Sequence, residues 1–331
     1  MRIFLAPMEG VVDYTIRDLL TRLGGFDRCV TEFVRITEQK LPPRVFYRYS
    51  PELRNGGMTP AGTPVYVQLL GGNPDYMALN ARTAARIGAP GIDLNFGCPS
   101  KTVNRNDGGS ALLREPERVH NIVRSVREAV VSEIPVTAKI RLGFSDAGLL
   151  EAIASGVEAA GADELCIHAR TRKDGYKPPA YWHQLAVIKE MLTIPVIVNG
   201  EIWSPADARR AQQESGCMDL MLGRGSLCRP DLAPAIRADQ QGVTYTAMSW
   251  DEVRQLMLNY IPTISQDNPK FAPNRIKQWL NYLRRQYPEA ESLFQHLKRL
   301  KLLAEIVDCL HNWPNSKTAI PQHKSGVEVV S

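Results

Sequence analysis

The run GIDLNFGCPSKTVNRNDGGSALL, residues 91–113, carries the sharpest chemical signal in this chain. An apolar strand ends at Asn95 and turns through Gly97 to present Cys98 on a loop, with Pro99 fixing the turn. Gly108 and Gly109 would let backbone approach a ligand closely. A thiol of ordinary pKa, about 8.5, is mostly protonated near neutrality and can serve as a general acid. The competing reading of Cys98 is a buried loop cysteine. Lys139 lies inside the apolar run VTAKI, where an ammonium is costly unless it meets an anion or an electron-rich ring. A flavin ring gains negative charge on reduction and would meet that need. A carboxylate such as Glu9 would meet it too. The runs VIVNGEI and LMLGRG place Asn199, Gly200, Gly223, Arg224 and Gly225 where backbone N–H groups and a guanidinium could hold a phosphate, with His168 within reach. No GxGxxG turn follows the first strand, so FMN fits better than a dinucleotide.

These residues need a scaffold that gathers them. Eight β-rich runs recur, at 3–8, 29–34, 65–71, 91–97, 136–143, 164–170, 196–202 and 220–226. Segments of helical spacing, such as 74–87 and 147–160, lie between them. Strands alternating with helices predict parallel strands with crossover helices, and the count of eight predicts a closed TIM (β/α)8 barrel. Glu9, Gln68, Asn95, Lys139, Arg141, His168, Arg170, Asn199 and Glu201 all fall at the C-terminal ends of these runs, where such a barrel builds its active site. The expected barrel spans residues 1–243.

A small all-α domain is expected over 244–312, with a break at 268–274 where Pro269 and Pro273 interrupt the helical pattern. The remainder, 313–331, reads as a loose tail. Over 271–301 seven bases face two acids, and Phe271, Trp279, Tyr282, Tyr287 and Phe294 interleave with them. That mixture suits a folded RNA, with cations on phosphates and rings free to stack. It also suits a solvated helix whose aromatics form a core. For Trp279 and Phe294 the second reading weighs at least as much.

The 331 residues are 44% apolar with a formal net charge of +5, enough for a barrel and a second domain and against wholesale disorder. The six cysteines form no CxxC pair and show no zinc-type spacing, so neither a disulfide framework nor a metal is expected. Cys29 and Cys166 read as buried small hydrophobes. The first residues lack the extended apolar region of a signal peptide, and no apolar stretch is long enough to span a bilayer. The expectation is a soluble cytoplasmic protein, acting as a monomer and independent of membranes.

The motifs APMEG (6–10), QLLG (68–71), DLNFGCPSKTV (93–103), VTAKIRLG (136–143), IHART (167–171), VNGEIW (198–203) and LGRG (222–225) resemble those of the tRNA-dihydrouridine synthases. The resemblance runs from residue 1 to about 310. The segments 30–42, 43–53 and 275–285 are most similar to the bacterial C-type subfamily, the tRNA-dihydrouridine(16) synthases. The resemblance implies FMN as cofactor, NADPH as reductant, tRNA as partner, and Cys98 as proton donor. It puts Pro7, Met8, Glu9, Gln68, Lys139, Asn199, Gly200, Glu201, Gly223 and Arg224 on FMN, with His168 a further flavin contact. For the subfamily it implies tRNA contacts at Arg35, Asn95, Tyr176, Arg275, Lys277, Trp279 and Lys298. Asn95 is suited to the uracil edge and Arg141 to a nearby phosphate or base carbonyl. Phe96 departs from the family pattern, and the tail beyond about 314 has no counterpart. Three other readings stay open: the same chemistry at another D-loop position, a reductase of free pyrimidines, and a tRNA-binding folding factor.

Overall fold

The structure is a computed structural model and describes residues 1–267 and 269–314. Among the described residues nine strands form one parallel sheet: β1 (Ile3–Leu5), β2 (Arg28–Val30), β3 (Val34–Arg35), β4 (Val65–Leu70), β5 (Ile92–Asn95), β6 (Val136–Arg141), β7 (Glu164–His168), β8 (Val196–Asn199) and β9 (Asp219–Leu222). The pairings β1–β9 and β2–β4 close it into a TIM barrel. Eight strand positions result, because β2 and β3 share one. The sequence expectation of an unbroken strand over 29–34 is corrected here. The Thr31 Oγ1 accepts the Gln68 N–H at 3.0 Å, a bond that a backbone carbonyl would otherwise take. The ladder resumes at Val34, which pairs with Leu69, and runs on to the Ile36 N–H, which reaches the Leu70 carbonyl at 2.7 Å.

Each strand position feeds a helix. The segment expected at 74–87 is the helix Pro74–Arg86, capped by the Asn73 side chain and opened by proline at its first turn. The segment expected at 147–160 is the helix Leu150–Ala159. Inside the barrel, Phe4, Val30, Tyr66, Cys166, Ile197 and Met221 pack into one apolar cluster. Below it, at the N-terminal ends of the strands, the Arg28 guanidinium lies 4.1 Å from the Phe4 ring centroid and 4.3 Å from that of Tyr66. Arg2 and Arg28 both pair with Glu164, and Arg2 also pairs with Asp219. This charged floor closes the bottom of the barrel, its two arginines held by the Glu164 and Asp219 carboxylates.

The chain divides into two compact units, residues 1–247 and a second that begins at Met248. Among the described residues the second holds four helices: Trp250–Asp267, Ala272–Leu283, Pro288–Leu297 and Leu303–Asn312. The expected break at 268–274 is shorter, because Pro273 lies in the first turn of the helix Ala272–Leu283, where a proline is tolerated; Pro288 opens the next helix in the same way. The expected tail of 313–331 lies outside the described residues beyond Pro314.

Candidate active site at the barrel mouth

Cys98 sits half-buried on the loop after β5. Asn95 caps that loop: its Oδ1 accepts the N–H of Gly97 at 3.0 Å and of Cys98 at 2.9 Å. The Cys98 carbonyl accepts the Asn104 amide and the Ser110 hydroxyl, each at 2.9 Å, and the Ser110 N–H at 3.1 Å. Behind Asn95 runs a relay of side chains. Asn95 Nδ2 donates to Gln68 Oε1 at 2.8 Å, Gln68 Nε2 to Asp93 Oδ2 at 2.7 Å, and Thr137 Oγ1 to Asp93 Oδ1 at 2.6 Å. The relay joins β4, β5 and β6. Asn95 and Gln68 thus hold the Cys98 loop in place, a task that the sequence did not reveal. Gly109 needs correction as well. At φ +61°, a Cβ there would lie 2.8 Å from the Cys98 carbonyl oxygen, so this glycine admits the Cys98 loop rather than a ligand.

The thiol stays protonated through neutrality. Burial pushes the Cys98 pKa up, the Ser100 N–H pulls it down, the Glu9 carboxylate raises it and Arg141 lowers it, with a net upward shift. Cys29 and Cys166 are buried and pushed up to about 12 by desolvation, so they are chemically silent. All six cysteines are free thiols.

Around the opposite side of the mouth, β6 to β9 gather cations. Lys139 Nζ donates to Asn199 Oδ1 at 2.9 Å, while Asn199 Nδ2 donates to the Met221 carbonyl at 2.8 Å. No carboxylate pairs with Lys139 among the described residues; its ammonium has that one acceptor, and burial lowers its pKa. His168 is buried and held well below its ordinary pKa, first by desolvation and then by Arg141, Lys139, Arg170 and Arg224. Its imidazole is neutral. Arg170 is fully buried, and neither its Nη1 nor its Nη2 makes a hydrogen bond among the described residues, although Nη2 stands 3.0 Å from Glu201 Oε1. The same oxygen takes Arg224 Nη2 at 2.9 Å. One carboxylate therefore answers two guanidiniums, and the pocket keeps a positive excess.

The turn that places Glu201 is strained. Gly200 has φ +117°, and a Cβ there would lie 2.8 Å from the His168 ring. Glu201 itself has φ 55°, a left-handed conformation that costs a side-chain-bearing residue about 1–2 kcal/mol. Trp182 Nε1 steadies the turn by donating to the Gly200 carbonyl at 2.8 Å. Gly223 precedes the short helix Arg224–Cys228 and lies 3.6 Å from the Met8 sulfur, measured from an added Cβ. Pro7 and Met8 are half-buried and Glu9 exposed, just beyond the end of β1.

The residues expected to meet RNA divide. Tyr176 is 54% exposed, with the guanidinium carbons of Arg141 and Arg224 at 5.2 Å and 5.0 Å from its ring. Arg35 is half-buried at the end of β3. Arg141 is corrected: it is 2% exposed and donates to the carbonyls of Gly97 at 2.8 Å, Thr171 at 3.1 Å and Gly175 at 2.9 Å. It braces the loops after β5 and β7 and has little left for a phosphate. In the helical unit, Trp279 is also corrected. It is 3% exposed and meets Tyr260 edge-on at 5.4 Å, so it is core. Lys277 Nζ donates to the Leu300 carbonyl. Arg275 is half-buried and Lys298 exposed.

A closed parallel barrel with a polar, cationic mouth and a protonated thiol on its rim defines the class: a TIM-barrel enzyme with its site at the C-terminal face of the strands. The fold is shared with an old yellow enzyme homologue from Zymomonas mobilis, at TM-score 0.50 and 12% identity over 76% of this chain and 91% of that one. It is shared also with histamine dehydrogenase from Rhizobium sp. 4-9, at TM-score 0.56 and 15% identity over 79% of this chain and 48% of that one. The dihydrouridine synthase family pattern matches residues 4–315, and the chain belongs to that family. Among its relatives, the tRNA-dihydrouridine(16) synthase of Shewanella oneidensis is 51% identical over 94% of this chain and 97% of that protein. The protein of the same name from Vibrio cholerae is 48% identical over 95% of this chain and 96% of its own.

Proposed function

We propose that this chain reduces the C5=C6 bond of a uridine in tRNA to give dihydrouridine, at position 16 of the D-loop, with FMN as cofactor and NADPH as reductant. The observation that carries the reading is the pairing of a protonated, backbone-locked Cys98 with an under-neutralised cationic pocket in one barrel mouth. That pocket fits a flavin mononucleotide. The two terminal nitrogens of Arg170 and the buried Ser226 hydroxyl make no hydrogen bond among the described residues, as groups awaiting phosphate oxygens would. Lys139, with one acceptor, suits a ring that gains negative charge. Pro7, Met8, Glu9, Gln68, Asn199, Gly200, Glu201, Gly223 and Arg224 would frame the group.

Bound there, FMN would supply the hydride that C6 of the conjugated uracil accepts. The accompanying proton belongs to the protein. Cys98 donates it from Sγ to C5, which leaves a thiolate. The Ser100 N–H and the Arg141 charge, the two influences that favour thiolate, are placed to receive that negative charge. Solvent then restores the thiol. Tyr176 offers an exposed ring against which a base out of its stack could lie.

The test is direct. Purified protein is expected to be yellow and to release FMN on denaturation, and cells lacking it should lose dihydrouridine at position 16 alone. A colourless protein that takes up no FMN would refute the cofactor. Dihydrouridine lost at a different D-loop position would refute the position and leave the chemistry standing.

A further inference from the structure

Three loops at the rim of the barrel bring together residues that the reading above does not use. Arg114 ends the short helical segment Gly109–Arg114 after β5, Phe144 follows β6, and Arg172 follows β7. The guanidinium carbon of Arg114 lies 4.3 Å from the centroid of the Phe144 ring, and that of Arg172 lies 5.1 Å from the same centroid. The two charges are therefore within about 10 Å of one another, a Debye length at moderate salt, so they repel. Each gains only about 0.5–1 kcal/mol from the ring at such a partly exposed site.

Among the described residues no carboxylate pairs with Arg114 or Arg172. The acids of the same loops are engaged elsewhere: Asp107 and Glu115 pair with Arg118, Asp146 caps Gly148, and Asp174 accepts the N–H and hydroxyl of Thr171. Arg114 spends one donor, Nε, on the Ala111 carbonyl at 3.3 Å. Arg172 has no side-chain hydrogen bond or ion pair among the described residues. Two forked donors with most of their N–H groups unspent stand beside one aromatic ring.

The three loops are also fastened to each other and to Cys98. The Arg172 N–H reaches the Gly143 carbonyl at 2.9 Å, and the Lys173 N–H reaches that of Phe144 at 3.1 Å. Arg141 ties the Gly97 carbonyl to those of Thr171 and Gly175. Ser110, in the segment that ends at Arg114, holds the Cys98 carbonyl. The pair is thus a rigid feature of the rim that carries the proton donor, and Lys173 and Lys177 lie exposed on the same loop as Arg172. Planar guanidiniums match phosphate oxygens in a bidentate way, and a preordered pair loses little entropy on binding.

We propose that Arg114 and Arg172, held on the Phe144 ring, form a clamp for a phosphodiester of the tRNA beside the nucleotide delivered to Cys98. This rests on the reading of tRNA as substrate. A phosphate of the nicotinamide reductant has the same ligand chemistry, so the experiment must separate the two sources.

The experiment measures tRNA affinity of the flavin-loaded protein against salt for wild type, R114A/R172A and R114K/R172K, with R86A, on the outer end of a barrel helix, as the surface control. The double alanine variant is expected to bind tRNA roughly tenfold more weakly at low salt, with the slope of log affinity against log salt reduced by about 0.7–0.9 per lost contact. The lysine variant keeps the slope but recovers only part of the affinity, because an ammonium cannot bind in the forked manner. R86A matches wild type. Flavin content and melting temperature verify that each variant is folded. A double alanine variant with wild-type affinity and slope would overturn the clamp. So would one that binds tRNA normally while its KM for the reductant rises. Wild-type protein that neither binds nor reduces tRNA would overturn the substrate reading and the clamp together.

Discussion

Cys98 differs from the other cysteines in what surrounds it. Burial raises its pKa, and the direction sets the pH behaviour. The neutral thiol is the active form, so uridine reduction should hold steady through neutrality and fall only as pH climbs above the ordinary thiol range and passes the raised value. In Cys98→Ala that alkaline limb should vanish and single-turnover reduction of tRNA should slow by ~10²–10⁴-fold, with the flavin still reducible. A variant as fast as wild type would assign the proton to another donor. The position of this thiol was readable because Gly97, Cys98 and Pro99 follow directly on a strand. Its struts were not. Gln68 and Asn95 are polar residues at strand ends, and sequence cannot say which neighbouring strand ends such a group also bonds. Arg141 misled in the same way: its partners, the carbonyls of Gly97, Thr171 and Gly175, are brought to it only by barrel closure.

At the scale of elements, the strand–helix alternation was legible because apolar runs and helical spacing differ in period. The interruption between β2 and β3 was not, since it depends on the Thr31 hydroxyl replacing a ladder acceptor. Glycines divide similarly. Sequence marks Gly109 as permissive but not what it permits. Its φ of +61° and its approach to the Cys98 carbonyl predict that Gly109→Ala strains the loop by about 1–3 kcal/mol. The expected outcome is a lower melting temperature and slower uridine reduction, with FMN content close to normal, since the cationic side of the mouth is built on β6 to β9. Loss of FMN with unimpaired proton transfer in the residual holoenzyme would contradict this division of labour. The Arg114–Phe144–Arg172 group was invisible for a related reason: its members are separated by whole βα units and meet only at the rim.

For the whole molecule, we infer that the helical unit supplies part of the tRNA affinity. Charge over 271–301 motivated that expectation, and the structure sorts its members. Trp279 is core, because a ring at helical spacing reads alike on either face until packing is known. Lys277 holds the Leu300 carbonyl, so its replacement would mix stability with binding. Arg275 Nη1 donates to Gln278 Oε1 at 2.9 Å and Lys298 Nζ to Gln295 Oε1, both side chains and not the backbone. Arg275→Ala and Lys298→Ala should each weaken tRNA binding and flatten its salt dependence by roughly 0.7–0.9, leaving flavin content unchanged. Binding that stays normal at every salt concentration would remove the unit from the docking surface.

The relay from Thr137 through Asp93, Gln68 and Asn95 to the backbone of Cys98 has a consequence for time as well as position. A loop at a substrate entrance ordinarily opens often, and its amide hydrogens trade quickly with solvent. The Gly97 and Cys98 amides are instead bonded to a side chain anchored in three neighbouring strands, so they come free only when those strands part. In a hydrogen-exchange measurement deuterium should therefore enter them at the pace of the barrel wall, although they lie on its lip.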